Sequence, residues 1–419
     1  MNGSSVTHAR DLPQELVEVI EKSASLGKQT AAFVKTALTR LWLDAASPMD
    51  GDKVFLSTGD IDAMWIRDST WQVRPLIRFA GNRAIADFLC SIINTQVFYL
   101  SIDPYANAFN KTPNGQCWHR DFGDQSPWVF ERKFELDSIT GFWQLSLDLS
   151  ETGSFALDES WWQLTARLVD LLWVETEHDP DSYILFRPDN PPHDSLSNEG
   201  RGGPFENCGL IWSAFRPSDD ACEMPFHIPS NIHASLLLRR LARAAQSTRS
   251  ELAKRSEALA NQIDAAVKEH AWFEVDGIRT LAYEIDGLGG AVLMDDANYP
   301  NLLSLKFLGL ADEQVTKNIR EYSLSASNKW HFSNHRISGI GSPHTGVGMV
   351  WPLAIAMAGI TAENPDEMIS SLRIIEQTAS GEAIHESFSI ENPDNFTREW
   401  FSWAEMTYFE LAMRILEFK

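Results

Sequence analysis

The sequence predicts an all-α fold in which paired helices form a barrel. Three observations lead to this prediction. Apolar residues recur three or four positions apart from one end of the chain to the other, which is the period of an amphipathic helix. Convincing strand patterns are few, and no linker or low-complexity segment divides the 419 residues. So many helices without a boundary indicate one domain over residues 1–419, and a ring of paired helices is a natural way to close them.

Each predicted helix has an apolar stripe with polar residues opposite it. Residues 157–178 show the pattern most clearly, with an apolar stripe from Trp161 to Leu172 and acidic residues in the first turn, where the helix dipole favours them. Ser230 is the predicted N-cap of one helix, and Ser250 that of the next. In chain order, the other predicted helices span residues 14–25, 28–43, 70–79, 83–100, 133–151, 299–308, 311–324, 347–359, 364–379 and 400–418.

One β-hairpin interrupts this helical pattern. Residues 273–285 contain short runs of β-type residues, and Asp276-Gly277 lies between the first two. An Asp-Gly pair is typical of a two-residue hairpin turn, because both positions tolerate a positive φ. The full expectation is therefore an all-α barrel with a small β-hairpin insertion.

The composition excludes several classes of function. Lys plus Arg is 35 and Asp plus Glu is 58, and the resulting net charge of −23 repels phosphate backbones and anionic lipids. We therefore expect no nucleic acid or membrane partner. No apolar run is expected to reach the length of about 20 residues that spans a bilayer, and no secretory signal is recognisable at residues 1–12. The cysteines are too scattered for a disulfide framework or a paired-cysteine metal site. We expect a cytoplasmic monomer that uses no cofactor.

The aromatic content of 15 Trp, 23 Phe and 7 Tyr fits either a large core or a cleft whose rings stack on a sugar. Dense clusters of polar and aromatic residues favour a site built from several loops. Helix caps explain single aspartates, but not Trp, Arg and paired carboxylates together. Acid–base chemistry does require two carboxyl groups in different protonation states. The clusters lie at residues 57–69, 131–137, 215–222, 283–301, 339–345, 385–388 and 396–401.

Two classes of enzyme and one class of binding protein compete for these clusters. Residues 219–223 fit the DDxxE pattern with which all-α terpene and prenyl synthases hold magnesium and a diphosphate. That motif requires a long helix, and Pro217 and Pro225 on either side of it argue against one. Phosphate-loop, dinucleotide, zinc-protease and serine-elbow patterns are absent from the sequence. Glycoside hydrolysis by two carboxylates is favoured, with a non-catalytic sugar-binding module as the alternative.

In these clusters the sequence resembles glycoside hydrolase family 125, the exo-acting α-1,6-mannosidases. The longest similar segment is TGDIDAMWIRDSTWQVRPL at residues 58–76. The segments follow the family's order, and the resemblance extends over residues 58–403. It departs from the family after Asn231, where Ile-His follows, and at Glu405. The shorter segments are ERKFELDS at 131–138, FRPSDDAC at 215–222, LMDDANYPNLLSL at 293–305, GIGSPHTG at 339–346 and HESF at 385–388.

The resemblance implies an (α/α)6 barrel, an inverting mechanism, α-mannoside glycans as substrates and no metal. The general acid is then one of Asp219 and Asp220, of which Asp219 is preferred by analogy with related helical-barrel glycosidases. The general base is Glu386. Another inverting (α/α)6-barrel glycosidase and a non-catalytic sugar-binding protein remain the alternatives. The residues implied in sugar binding are Asp60, Asp62, Trp65, Arg67, Asp68, Asn298, His344 and Arg398.

Overall fold

The computed structural model describes residues 11–121, 123 and 125–418, and most of the secondary structure in these residues is helical. A π-helical turn, Arg40–Ala45, extends α2, and 3-10 helices lie at Arg74–Phe79 and Pro192–Asp194. The α-helices are α1 (Gln14–Ser23), α2 (Lys28–Thr39), α3 (Ile66–Val73), α4 (Arg83–Ile102), α5 (Leu136–Glu151), α6 (Glu159–Glu175), α7 (Ser197–Gly200), α8 (Ile228–Ala245), α9 (Ser250–His270), α10 (Leu305–Leu308), α11 (Glu313–Ser323), α12 (Pro352–Ile360), α13 (Pro365–Thr378) and α14 (Ser402–Phe418).

The long helices form two sets that differ in burial. Helices α3, α5, α8, α12 and α14 are buried almost all round. The others bury one stripe, as in α9, where Leu252, Ser256, Leu259 and Ile263 are three or four residues apart. The buried helices contact one another in the order α12, α14, α3, α5 and α8, and the short α10 packs on α8. Amphipathic helices pack against them, with α9 on α8 and α13 on α12. The predicted predominance of helices is therefore confirmed, and a buried helix is paired with an amphipathic one in α8 with α9 and in α12 with α13.

Short strands are more numerous than the sequence predicted. They pair antiparallel in small sheets of two or three strands, and none is longer than four residues, too short to show a period in the sequence. The strands are β1 (Ala46–Pro48), β2 (Val54–Leu56), β3 (Met64–Trp65), β4 (Ala108–Phe109), β5 (Val129–Glu131), β6 (Phe226–His227), β7 (Trp272–Val275), β8 (Ile278–Leu281), β9 (Glu284–Ile285), β10 (Ala291–Val292), β11 (His331–Ser333), β12 (Ser338–Ile340), β13 (Met349–Val350), β14 (Ser387–Ser389) and β15 (Phe396–Thr397).

The predicted hairpin is confirmed. Val275 at the end of β7 pairs with Ile278 at the start of β8, which leaves a two-residue turn between them. Asp276 and Gly277 in that turn have φ angles of 52° and 81°. Both are positive, as the type of turn that matches the twist of a hairpin requires.

Both predicted N-caps are wrong, and two other helices begin later than predicted. The N-cap of α8 is His227, whose Nδ1 accepts a hydrogen bond from the backbone N–H of Ser230 at 3.3 Å. Pro229 lies in the first turn, where a missing N–H costs nothing, so the helix begins before the serine. Helix α9 begins at Ser250 itself, after an N-cap residue that makes no side-chain cap. Residues 299–308 are helical only at α10, because bends and turns occupy residues 299–304. Helix α12 begins later than residue 347, because a turn and strand β13 occupy residues 347–350.

The expectation that no apolar run is long enough to span a membrane is also wrong. Among the residues that the structure describes, α4 is long and apolar enough to do so, by length and composition alone. The apolar window of this helix is 61% buried within the protein. Helix α4 packs against β2, α5 and α6, so several of its faces need apolar residues. Its composition therefore reflects its position in the core, which runs from Leu16 in α1 to Leu416 in α14.

Candidate active site

A cavity of about 390 Å³ opens where the loops before the buried helices converge. Arg67 and Asp68 line it from the first turn of α3, and Trp403 lines it from α14. The other contributors lie in segments that precede α3, α5, α8, α10, α12 and α14. Asp60, Asp62 and Asp220 do not line the cavity. The predicted site residues that do line it are Trp65, Arg67, Asp68, Asp219, Asn298, His344, Glu386 and Arg398.

The two adjacent aspartates lie in one tight turn, and their side chains differ in exposure. Phe215 and Ala221 form an antiparallel bridge, and the backbone N–H of Arg216 donates to the carbonyl of Asp220 at 2.7 Å. Asp219 in this turn has a φ of 66°, a left-handed conformation that aspartate tolerates better than most residues. Its side chain is 24% exposed and lines the cavity, whereas that of Asp220 is 1% exposed. Of the two candidate acids, Asp219 is thus the one that a substrate can reach.

Cations surround Asp219. Arg67 Nη2 donates to Asp219 Oδ1 at 3.2 Å and Asn107 Nδ2 donates to the same atom at 3.3 Å. Lys133 Nζ donates to the Asp219 carbonyl at 2.8 Å. Burial raises the pKa of Asp219, but Arg67, a hydrogen bond from Glu135 and Lys133 together hold it below its usual range.

Arg67 is the centre of a buried cluster of carboxyl groups. In addition to Asp219, its guanidinium contacts Asp68 at 3.1 Å, Glu135 at 2.8 Å and Asp137 at 3.4 Å. Carboxyl groups crowded around one guanidinium repel each other, and burial adds to this, so the crowding favours protonation of part of the cluster. Burial, opposed by Arg67 and reinforced by Asp219, raises the pKa of Glu135 well above its usual value. Burial likewise raises the pKa of Asp137 to about 6.

Glu386 lines the same cavity from the position immediately before β14. Arg398 Nη1 is 3.6 Å from Glu386 Oε1, and Arg398 Nε donates to Asp60 Oδ1 at 2.8 Å. The φ of Arg398 is 43°, and strained residues of this kind cluster at functional sites. Asp60, predicted to bind sugar, therefore orients Arg398 from outside the cavity, while Asp62 is exposed and faces away from the lining.

His344 is held by the second aspartate. Asp220 Oδ1 is 2.8 Å from His344 Nδ1. Burial lowers the pKa of His344, but the hydrogen bond to Asp220 and the nearby Glu386 and Asp219 raise it to about 9. His344 is therefore an imidazolium at neutral pH. Asn298 is fixed in a similar way, because its Nδ2 donates to Asp296 Oδ1 at 3.1 Å.

Comparison with known proteins places this arrangement in a family. The model of glycoside hydrolase family 125, described as metal-independent α-mannosidases, matches residues 20–413. The chain belongs to this family. The predicted enzyme class, an α-mannosidase among the glycoside hydrolases, is therefore confirmed. The meiotically up-regulated gene 157 protein of Schizosaccharomyces pombe (strain 972 / ATCC 24843) is 33% identical to this family 125 enzyme, over 89% of this chain and 79% of that protein.

Solved structures agree with the family. A metal-independent α-mannosidase from Streptococcus pneumoniae, in a non-productive complex with α-1,6-mannobiose, superposes with a TM-score of 0.92. It is 32% identical and covers 97% of this chain and 99% of its own. A bacterial glucoamylase in complex with acarbose has a TM-score of 0.59 at 13% identity, over 96% of this chain and 58% of its own. At that identity only the fold is shared.

From the sequence, residues 131–137 belong to one of the polar clusters, but none of them was assigned to the site. Glu131, Lys133 and Glu135 occupy alternate positions from β5 to the start of α5, and all three are buried. Alternate residues of an extended chain point to the same face. The residues between them are Arg132 and Phe134, and Phe130 precedes the series; both phenylalanines are also buried. Three charged residues at every second position, in a stretch whose second half was predicted to be helical from residue 133, were the available signal of an extended segment with a charged inner face.

Proposed function

We propose that this family 125 enzyme is an exo-acting α-1,6-mannosidase that hydrolyses its substrate with inversion. One observation carries the proposal. Asp219 and Glu386 come from the loops before α8 and α14 and yet line the same cavity. Each has its own cation, Arg67 beside Asp219 and Arg398 beside Glu386. Two carboxyl groups from distant loops, held in different environments, are what acid–base hydrolysis of a glycoside requires.

The proposal includes a single catalytic domain built as a closed (α/α)6 barrel. The inner ring would consist of α3, α5, α8, α10, α12 and α14, with closure between α10 and α12. The order of contacts from α12 through α14 and α3 to α8 supports this ring. Similarity to glycosidases of the (α/α)6 type at low sequence identity supports it as well. In such a barrel the loops before the inner helices meet at one mouth, where the cavity lies.

A related α-mannosidase and the size of the cavity support a terminal α-1,6-linked mannose as the proposed substrate. The α-mannosidase from Streptococcus pneumoniae holds α-1,6-mannobiose, and its similarity to the present enzyme covers 97% of the present chain. The cavity of about 390 Å³ is at the small end of the range of about 300–1,000 Å³ for ligand pockets. It suits the end of a glycan better than an internal segment. Trp118, 54% exposed at the cavity and in edge contact with Phe130, offers a stacking surface for the leaving sugar.

In the proposed mechanism, Asp219 protonates the glycosidic oxygen while Glu386 takes a proton from water. The water oxygen bonds to the anomeric carbon as the bond to the leaving oxygen breaks, and β-mannose results. Inversion requires about 6.5–9.5 Å between the two carboxyl groups, which leaves room for the water. Arg398 Nη1, 3.6 Å from Glu386 Oε1, is placed to orient the carboxyl group that acts as base. Asp219 needs a proton source, because Arg67 favours its anion.

The test is hydrolysis of α-1,6-, α-1,2- and α-1,3-linked mannobiose by the purified protein. We expect the α-1,6 linkage to be cleaved fastest, with free mannose accumulating from longer glycans from the first minutes. The first-formed mannose should be the β-anomer by NMR. An initial α-anomer would indicate retention, and internal fragments would contradict exo action. Binding of mannobiose without cleavage of any of the three would favour a sugar-binding protein.

The proposal also covers the setting of the enzyme, a monomer in the cytoplasm. Cys90, Cys117, Cys208 and Cys222 are free thiols, which suits a reducing compartment. Light scattering of the purified chain and fractionation of the cells that produce it would test the two statements separately.

A further inference from the structure

Glu135 lies behind Asp219, outside the cavity lining and 1% exposed. The same two donors bind both carboxyl groups. Arg67 donates to Glu135 Oε2 at 2.8 Å and to Asp219 Oδ1 at 3.2 Å. Asn107 donates to Glu135 Oε1 at 3.0 Å and to Asp219 Oδ1 at 3.3 Å. The shared donors hold the two carboxyl groups side by side. Two carboxylates in one buried site repel each other, so this arrangement favours a state in which the pair holds one proton.

The surroundings decide which partner holds that proton. The cations that face the pair are Arg67, Lys133 and, on the Asp219 side, His344. Lys133 and His344 act on Asp219 and favour its anion, whereas burial and the neighbouring Asp137 disfavour an anion at Glu135. Asp219 is also the partner that solvent reaches. While water has access to the cavity, the proton therefore resides on Glu135. The other charged groups around the pair are Asp68 from α3 and Glu131 from β5.

We propose that Glu135 is a positioning residue that supplies the proton of the general acid when substrate binds. A mannoside that fills the cavity removes water from Asp219, which weakens the stabilisation of its anion. The O–H bond of Glu135 then breaks as an O–H bond forms on Asp219. Arg67 contacts both carboxyl groups, so the negative charge lies beside the same guanidinium before and after the proton transfer. The inference rests on the proposed function, in which Asp219 is the acid.

The proton balance of the full cycle closes without another reactant. The Asp219 O–H breaks as the leaving oxygen gains the proton, and the attacking water gives its own proton to Glu386. After product release, Glu386 loses that proton to solvent. The Glu135–Asp219 pair takes one up from solvent through Asp219, the exposed member of the pair. Glu135 contacts neither the sugar nor the water, and acts through Asp219.

The variant Glu135→Gln tests the inference, because it keeps the shape of the side chain and removes the transferable proton. The measurement is kcat/KM against pH with two substrates, α-1,6-mannobiose and α-mannosyl fluoride, since fluoride leaves without a proton. We expect a loss of about 100-fold or more on mannobiose at neutral pH, within the range for proton transfer. The loss should shrink as the pH falls, because Asp219 then takes its proton from solvent. Activity on the fluoride should be kept.

Asp137→Asn is the matched control. Asp137 is as buried as Glu135 and contacts Arg67 at 3.4 Å, but it lies two residues further along the chain, in α5, and does not share Asn107 with Asp219. We expect this variant to keep the wild-type shape of the pH profile on both substrates. An E135Q profile on mannobiose that matches wild type, or that matches the profile of D137N, would overturn the inference. Full mannobiose activity in Asp219→Asn would instead refute the proposed function.

A second measurement does not depend on the folding of E135Q. In the Glu386→Gln chain, which should bind mannobiose without turnover, infrared difference spectra report protonated carboxyl groups. With ¹³C-labelled aspartate, binding of α-1,6-mannobiose should remove a carboxylic acid band of glutamate and add one of aspartate. Spectra in which no aspartic acid band is gained would overturn the inference, even if E135Q proved unfolded.

Discussion

Replacement of Asp220 by Asn separates the roles of the two adjacent aspartates. Asp220 Oδ1 is 2.8 Å from His344 Nδ1, and within the described residues Oδ2 has no hydrogen-bond partner. The substitution therefore removes the charge of one buried ion pair and little else. A hydrogen bond to a charged group contributes about 1.5–3 kcal/mol. We expect a loss of about ten- to a hundred-fold in kcat/KM, if the imidazolium of His344 acts on the sugar.

The pH profile supplies a second measure of the same variant. Asp220 is a main reason that the pKa of His344 is about 9, so in D220N this pKa should fall towards its ordinary value of about 6.5. In the wild type, the stabilisation from charged His344 is complete below about pH 6.5 and is lost as the pH rises through about 9. D220N should lose its activity at a lower pH than the wild type does.

The assay compares D220N with Asp219→Asn on α-1,6-mannobiose and on α-mannosyl fluoride. D220N should lower kcat/KM for both substrates to a similar extent, and activity should recover as the pH falls. D219N should lower the mannobiose rate by about 10²–10⁴-fold and spare the fluoride. If D220N abolishes mannobiose hydrolysis and spares the fluoride, Asp220 is the general acid, and the reasoning from exposure and backbone conformation is refuted.

Four further predictions follow from the site and the core. Glu386→Gln should lower kcat/KM on mannobiose and on the fluoride alike, by about 10²–10⁴-fold, because water activation does not depend on the leaving group; unequal losses would contradict its role as base. Trp118→Ala should raise KM for α-1,6-mannobiose about two- to tenfold and leave KM for the fluoride unchanged, because only the disaccharide has a second ring to stack. A rise in KM for both substrates would contradict a contact between Trp118 and the leaving sugar. Burial outweighs the effect of Arg40 and raises the pKa of Glu405 from 4.5 to about 7. Ionisation of this group should therefore lower the free energy of unfolding of the wild type by about 3 kcal/mol between pH 4.5 and alkaline pH. Urea unfolding of Glu405→Gln should lack that fall, and a variant with the wild-type pH dependence would refute the assignment to Glu405. Dialysis against EDTA should leave activity intact, and recovery on addition of calcium or magnesium after a loss would contradict metal independence.

The sequence was sufficient for features whose cause is local. The helices of the outer set could be predicted because their apolar residues recur at the helical period, as in α9. The hairpin turn at Asp276-Gly277 could be predicted because few other residue pairs accept two positive φ angles. The ordered motifs from residue 58 to residue 403 were sufficient for the family, since long similar segments are specific.

The tertiary structure decided the features that depend on distant neighbours. Helix α4 has the composition of a membrane span, and its packing against other elements places it in the core. Asp60 and Asp62 are two residues apart in one loop, and contact with Arg398, from the other end of the chain, distinguishes them. No local pattern reports a partner that is brought near by the fold.

The same holds for the carboxyl groups of the site. Asp219 and Asp220 are neighbours in a motif, and a left-handed backbone at the first of them directs one side chain to the cavity and leaves the other buried against His344. Glu135 acquires its importance from Arg67, with which it shares no local sequence. Residue type and spacing identify which groups can carry acid–base chemistry. Which of them is exposed, and which holds a proton, depends on burial and on charges from other loops, and these exist only in the folded chain.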